Sequence, residues 1–498
     1  MRRCVARRLL LKKNKKPIPN PSPREGSSIS LSLEKMKKKL IIASIALAIA
    51  PISMAQVSNL PSLLGGEGGG LSSPWTIRQC CDYAVEHNIA IRQQENQRDQ
   101  QVLQLQTAKA GRLPDLNASA GENFSFGRGL TADNTYTNTN TSSTSFSVGT
   151  SVPIFTGFQI PNQIKLNQLN LEAATAELEK AKNDICVQVA QAYVQILYDM
   201  EIADVARRQI AIDSAQVARL QALLDAGRAS EAELSQQRAT LAQSRLTATQ
   251  ADNNLRLAYL ALTQLLELES PEGFSIEVPS NLSQLEEVSS ASEASLMEGA
   301  DAIFADALAT KPEVKAASLR ITAAERSIDI ARAGLYPTLS FNAGLGTNYY
   351  TTSGFKADGF GTQLKNNFSQ YLGFNLSIPI FNRFQTRNSI RSAKIDRENQ
   401  LLALDNTKKT LYKEIQQAWY NTIAAKEKLH SSKQARQASE DAFRLVQAKY
   451  EAGKATITEF NEAKNNFLKT ESDLTQARFE YLYQTALIQF YRGEPLNF

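Results

Sequence analysis

Four groups of side chains in this sequence could do chemistry at close quarters. They are the vicinal thiols Cys80-Cys81, a third thiol at Cys186, the imidazoles His87 and His430, and the carboxylates Glu459 and Glu462. Adjacent thiols suit redox exchange or a soft metal, and imidazole is a common metal ligand. The spacing supports neither, because no zinc-type or disulfide-framework pattern accompanies them. Past residue 55 methionine is limited to Met200 and Met297, so a Met-lined metal path is not expected. No nucleophile–base set emerges either. The expectation is a protein with no catalytic residue, no cofactor and no metal site. Glu459 and Glu462 differ: three residues apart, they fall on one face of any helix that holds them. Their plain alternative is an ordinary solvated helix face.

The elements that must position these residues come in duplicate. Ala108-Lys109-Ala110-Gly111-Arg112-Leu113-Pro114 returns as Ala331-Arg332-Ala333-Gly334-Leu335-Tyr336-Pro337, 223 residues on. Ser151-Val152-Pro153-Ile154-Phe155 returns as Ser377-Ile378-Pro379-Ile380-Phe381 at 226, and 226 also relates Asp225-Ala226-Gly227 to Glu451-Ala452-Gly453. Two tandem copies of one unit follow, residues 75–290 and 291–498. The shift places Ile303 and Phe304 at Cys80 and Cys81, Tyr412 at Cys186, Thr310 at His87 and Asp204 at His430. The thiols therefore occupy hydrophobic positions, and neither imidazole reads as a required ligand.

Each copy carries two stretches of period-two alternation, at about 115–127 and 144–155 and at about 338–349 and 368–381. Leu339, Phe341, Ala343 and Leu345 alternate with Ser340, Asn342, Gly344 and Gly346; in the first copy only Glu122 breaks the apolar face. The second face is small and uncharged, and ~10–12 residues suffice for one tilted bilayer crossing. A soluble sandwich is the alternative for such strands. Residues 127–143, dense in Thr and Asn, read as a long polar loop.

The rest is helix. No Gly or Pro interrupts 162–226 or 382–452, which allows rods of ~100 Å. Gly227 and Gly453 stop them with a left-handed turn. Beyond each turn apolar residues recur every seventh position: Leu234, Leu241, Ala248, Leu255 and Leu262, then Phe460, Phe467, Leu474, Tyr481 and Ile488. A sustained heptad predicts a coiled-coil hairpin returning along the long helix.

The net charge of +5 misleads. Residues 1–55 hold 13 of the 55 basic and 2 of the 50 acidic residues, leaving 42 basic against 48 acidic, near −6. Nucleic acid is therefore not an expected partner. Met36-Lys37-Lys38-Lys39, an apolar run from Leu40 to Ile49 and Ser53-Met54-Ala55 form a signal peptide cut after Ala55. Residues 1–35 fit an upstream extension preceding the true start at Met36, and 56–74 a linker. No Cys follows the apolar run within reach of a lipoprotein cut, so a free rather than an acylated N-terminus near Gln56 is expected.

Four strands cannot close a barrel, and open edges in lipid leave backbone groups unsatisfied. Several chains must then share one barrel, with their long helices continuing the pore. At this point the chain resembles the TolC family of outer-membrane efflux and secretion channels over residues 75–493. The resemblance is carried by Trp75-Thr76-Ile77-Arg78-Gln79 with Ala84 and Asn88, the Ala-x-Ala-Gly-x-x-Pro segments, both Pro-Ile-Phe motifs and the Ala-Gly tips. It implies an α+β membrane protein: a homotrimer with a twelve-strand barrel in outer-membrane lipid and a coiled-coil barrel reaching into the periplasm. The tip turns at Gly227 and Gly453 would dock a periplasmic adaptor and an inner-membrane transporter that supplies the energy. Glu459 and Glu462 match an acidic pair lining the entrance, and Tyr450 and Glu233 match residues that hold the mouth closed. The sequence departs from the family at Ala455, where a constricting Arg is expected; Lys454 stands beside it. Small toxic compounds are the expected cargo. Type I protein secretion is the alternative, and a coiled-coil adaptor is disfavoured by the four strands and the lack of a lipoyl-like domain.

Overall fold

A computed structural model describes residues 74–130, 134–278, 299–494 and 496. The signal segment, its cleavage site after Ala55 and the linker up to residue 73 lie outside the described residues. The chain runs α1 (Ile77–His87), α2 (Ile89–Ala110), β1 (Asn117–Leu130), β2 (Tyr136–Thr156), α3 (Gln159–Asp225) and α4 (Glu231–Leu265). It then repeats as α5 (Ala300–Thr310), α6 (Pro312–Ala333), β3 (Thr338–Thr352), a short α7 (Phe360–Asn366), β4 (Ser369–Ser377), α8 (Gln385–Glu451) and α9 (Ile457–Arg492).

The strands form one antiparallel sheet in the order β1-β2-β3-β4, so the two copies pair through β2 and β3. The register aligns Val148 with Leu345, Ala343 with Leu372 and Phe341 with Phe374. All therefore fall on one face, while Ser147, Gly346, Gly344 and Tyr371 fall on the other. Leu372, Phe374, Leu376 and Ile380 are 78, 72, 59 and 94 % exposed, an apolar surface that this chain does not cover. Glu122, the exception on that face, is bound by the hydroxyls of Ser142, at 2.6 Å, and Thr144. Gly344 faces the Tyr371 ring so closely that a Cβ would lie 2.6 Å from it.

The first hairpin corrects the sequence reading. β1 and β2 pair continuously from Asn117↔Gly149 to Leu130↔Tyr136, so most of the expected loop at 127–143 is strand. Thr has high strand propensity, and the absence of apolar alternation there had hidden it. β4 is shorter than expected, 369–377 rather than 368–381. Above it α7 covers the exposed edge of β3: the Gln363 side-chain amide exchanges two 3.0 Å hydrogen bonds with the Tyr350 backbone, and Asn367 donates to the Asn348 carbonyl. Both are backbone-like substitutes for the missing strand.

α3 and α8 each have 67 residues, about 100 Å of helix. α4 returns along α3 and α9 along α8, and eight of the ten heptad residues are buried; Leu255 and Phe467 are half-buried. In the first copy α2 stacks on the end of α4. Asn88 caps α2 by accepting from the Ala90 N–H and donates its own amide to the Leu265 carbonyl at 3.0 Å. In the second copy the same junction uses charge: Lys311, before α6, donates to the Phe490 carbonyl at 2.9 Å near the end of α9. Its ammonium also lies 3.5 Å from the Phe490 ring centroid. A cation is favourable where helix carbonyls are unpaired, and burial lowers this lysine to about 8. No helix among the described residues is long and apolar enough to cross a membrane.

Candidate channel entrance

The far ends of the two helical hairpins meet in one cluster. Leu220 and Leu234 of the first copy pack with Ile457 and Phe460 of the second, joined by Phe443 and Tyr450. Each long helix stops by the same device. Gly227 (φ +71°) lets Arg228 N donate to the Leu223 carbonyl at 2.8 Å, and Gly453 (φ +72°) lets Lys454 N donate to the Lys449 carbonyl at 2.8 Å. This six-to-one bond, with a five-to-two bond beside it, satisfies the last free carbonyls. Nothing lies within 4 Å of a Cβ built on either glycine, so backbone conformation alone selects them.

The returning helices also start alike, and this changes the reading of the acidic residues. Ser230 and Thr456 are N-caps, and Glu233 and Glu459 are the residues that complete a capping box. Glu459 Oε2 accepts from Thr456 N at 2.7 Å and from Thr456 Oγ1 at 3.0 Å. Those two donors hold its carboxyl below the ordinary glutamate range. The sequence carried the signal as Ser230-x-x-Glu233 and Thr456-x-x-Glu459 ahead of heptads. Glu462 lies one turn on, exposed, on the same groove of about 410 Å³. Lys449, Lys454 and Ala455 line that groove too, and the Lys449 charge acts on Glu459.

Tyr450 stacks on Phe460 with centroids 4.9 Å apart, and Arg219 of α3 lies 5.1 Å from its ring centre. Burial raises the Tyr450 hydroxyl, while Arg219 lowers it and Glu233 raises it through their charges. Tyr450 and Glu233 thus lie near enough across the two tips for the Glu233 charge to act on the Tyr450 hydroxyl. The cation that meets Tyr450 is Arg219, supplied by the other copy, whereas Lys454 lines the acidic groove. No local sequence pattern marks Arg219, a side chain on α3, as the partner of Tyr450.

A buried polar knot sits behind the tips. Asp213 of α3 and Lys464 of α9 form an ion pair with both side chains fully buried. Asp213 also accepts from Gln209 at 2.6 Å, Gln237 at 3.2 Å and Ser244 at 2.5 Å, and Asn461 donates to Gln237. Every one of its lone pairs has a use, which a buried charge requires. The knot ties the first long helix to both returning helices. The two ends of the pair lie 251 residues apart in the chain, so no local pattern announces it. Among the described residues no group of three or more His, Cys, Asp or Glu side chains is placed to hold a metal ion.

Sheet, paired long helices and duplicated tips recur in known proteins. The profile of a family described as outer membrane efflux protein matches residues 81–267 and 303–492, most of both copies. The chain belongs to this family. Among its relatives, outer membrane protein OprJ of Pseudomonas aeruginosa is 24% identical over 430 residues, covering 84% of this chain and 83% of that one. Pyoverdine export outer membrane protein OpmQ of the same species is 26% identical, covering 75% and 76%. Of solved structures, the Campylobacter jejuni CmeC outer membrane channel superposes with a TM-score of 0.67 at 16% identity, covering 85% of this chain and 87% of that one. The Vibrio cholerae outer membrane protein VceC gives 0.66 at 18% identity, covering 84% and 96%. This member of the outer membrane efflux family is accordingly an outer-membrane channel protein with the α+β architecture of those channels.

Proposed function

We propose that three copies of this chain form the passive exit duct of a tripartite efflux system for small toxic compounds. The observation that carries the reading is the four-stranded sheet with two unpaired edges and an apolar outer face, continuous with two 67-residue helices. Lipid contains no hydrogen-bonding partner for such edges, so closure must come from further copies. Three copies give twelve strands, within the range of closed barrels, and their helices extend the pore into the periplasm. The exposed turns at Gly227 and Gly453 are then the docking points for a periplasmic adaptor and an inner-membrane transporter. No step of the transport is catalysed by this chain, and its energy comes from the transporter.

At the mouth, threefold symmetry repeats the groove three times. Glu462 is the carboxylate available to a passing ion, because Glu459 is held by its cap. Tyr450, Arg219 and Glu233 hold the tips together in the resting state. Relatives named for toluene efflux and for pyoverdine export support an exported small molecule rather than a protein.

Deletion of the gene tests the cargo. We expect greater sensitivity to a panel of solvents and antibiotics, restored by the wild-type gene on a plasmid. Unchanged sensitivity together with loss of a secreted protein from the medium would replace this reading with type I secretion.

A further inference from the structure

Cys81 on α1 and Cys186 on α3, 105 residues apart, meet in the largest core of the chain. Cys81 Sγ donates to the Cys186 carbonyl oxygen at 3.9 Å, and the two thiols are near enough to act on each other's ionisation. Cys80 is fully buried, and burial raises its thiol to about 12. Consecutive helix residues point about 100° apart, so Cys80 and Cys81 leave α1 in different directions. The second copy shows what this contact is for. The repeat places Phe304 and Tyr412 at the positions of Cys81 and Cys186, and their rings pack edge to face with centroids 5.1 Å apart. One junction, short leading helix against long helix, is thus fastened by an aromatic pair in one copy and by two thiols in the other.

An outer-membrane protein passes through the oxidising periplasm, where paired thiols do not stay reduced. We propose that Cys81 and Cys186 form a disulfide that staples α1 to α3. Cys186 is half-buried, and the neighbouring Cys81 thiol favours its thiolate, while the same proximity raises Cys81. Cys186 is therefore the attacking sulfur. Its thiolate displaces one sulfur of a dithiol oxidase's disulfide, giving a mixed disulfide and one oxidase thiolate. Cys81 then loses its proton, attacks the Cys186 sulfur, and releases the second oxidase sulfur. Two electrons and two protons pass to the oxidase, which leaves as a dithiol. The closed loop contains α2, β1 and β2, so the bond ties the chain's leading helix to the long helix before the sheet leaves the core.

The test is peptide mapping of protein taken from outer membranes lysed in N-ethylmaleimide without reductant, then denatured and digested with trypsin. The expected result is residues 79–92 linked to residues 183–207, with Cys80 carrying the maleimide, and loss of the link after reduction. Cys80→Ser should retain the link and Cys81→Ser should abolish it. In addition, reductant should lower the thermal midpoint of the wild type and leave that of Cys81→Ser unchanged. Maleimide on both Cys81 and Cys186 in the unreduced wild type would overturn the proposal, as would a link made through Cys80.

Discussion

Glu459 carries two duties that mutation can separate. As a helix cap it needs only an acceptor at the third position, which an amide supplies equally, as Gln79 does beside Thr76. As a charge it needs ionisation. Glu459→Gln should therefore lower the thermal midpoint of the detergent-solubilised protein less than Glu459→Ala does, while Thr456→Ala should cost about 1 kcal/mol at this helix start. If Glu459→Gln is as damaging as Glu459→Ala, the charge and not the cap holds the tip. The pH dependence follows from the lowered carboxyl. A depressed value in the folded protein contributes stability that is complete above the ordinary value of 4.5 and is lost as pH falls through the lower folded value. Proteolysis of the tips should accordingly rise only in acid below that ordinary value and not between pH 6 and 8, roughly the range in which the carboxylate stays ionised. If Glu462 is the carboxylate that meets a passing ion, as proposed above, then in planar bilayers Glu462→Gln should reduce cation preference more than Glu459→Gln, and equal effects would remove the distinction.

Elements are held together by contacts that differ greatly in what their loss would cost. Lys464→Met would strand the Asp213 carboxylate in a fully buried site, a change that typically costs about 3–5 kcal/mol. Asp213→Asn combined with Lys464→Met should recover most of that loss, since no uncompensated charge then remains. Thermal denaturation of both variants checks this, and a double variant no better than the single one would mean that shape rather than charge sustains the knot. On the sheet, Gly344→Val would press against the Tyr371 ring and should reduce assembled protein in the outer membrane. Restoration by Tyr371→Ala in the same chain would show that the ring is the obstacle. The strand alternation, the two glycine stops and the heptads at Leu234 and Phe460 were legible because each is a local pattern with a period. The upper half of the first hairpin was not, because Thr137, Thr139 and Thr141 alternate with Asn and Ser and give no apolar period. Cys81 with Cys186, Asp213 with Lys464, and Arg219 with Tyr450 were equally hidden, being contacts made by the fold across 105 to 251 residues.

At the scale of the whole molecule, the exposed carbon of Phe374, Leu376, Ile380 and Phe381 and the unpaired edges of β1 and β4 are the two features that one chain leaves unfinished. Lipid covers the first, and only other copies can finish the second. Duplication accounts for the economy of the design: one helix–hairpin–helix unit, used twice, gives a sheet of four strands and two coiled coils whose tips adjoin. The most direct test is the native mass of the protein extracted from outer membranes in mild detergent. A single species of three chains, retaining heat-sensitive β structure, is the result expected. A monodisperse single chain with a folded β-barrel signature would contradict the shared barrel and, with it, the duct.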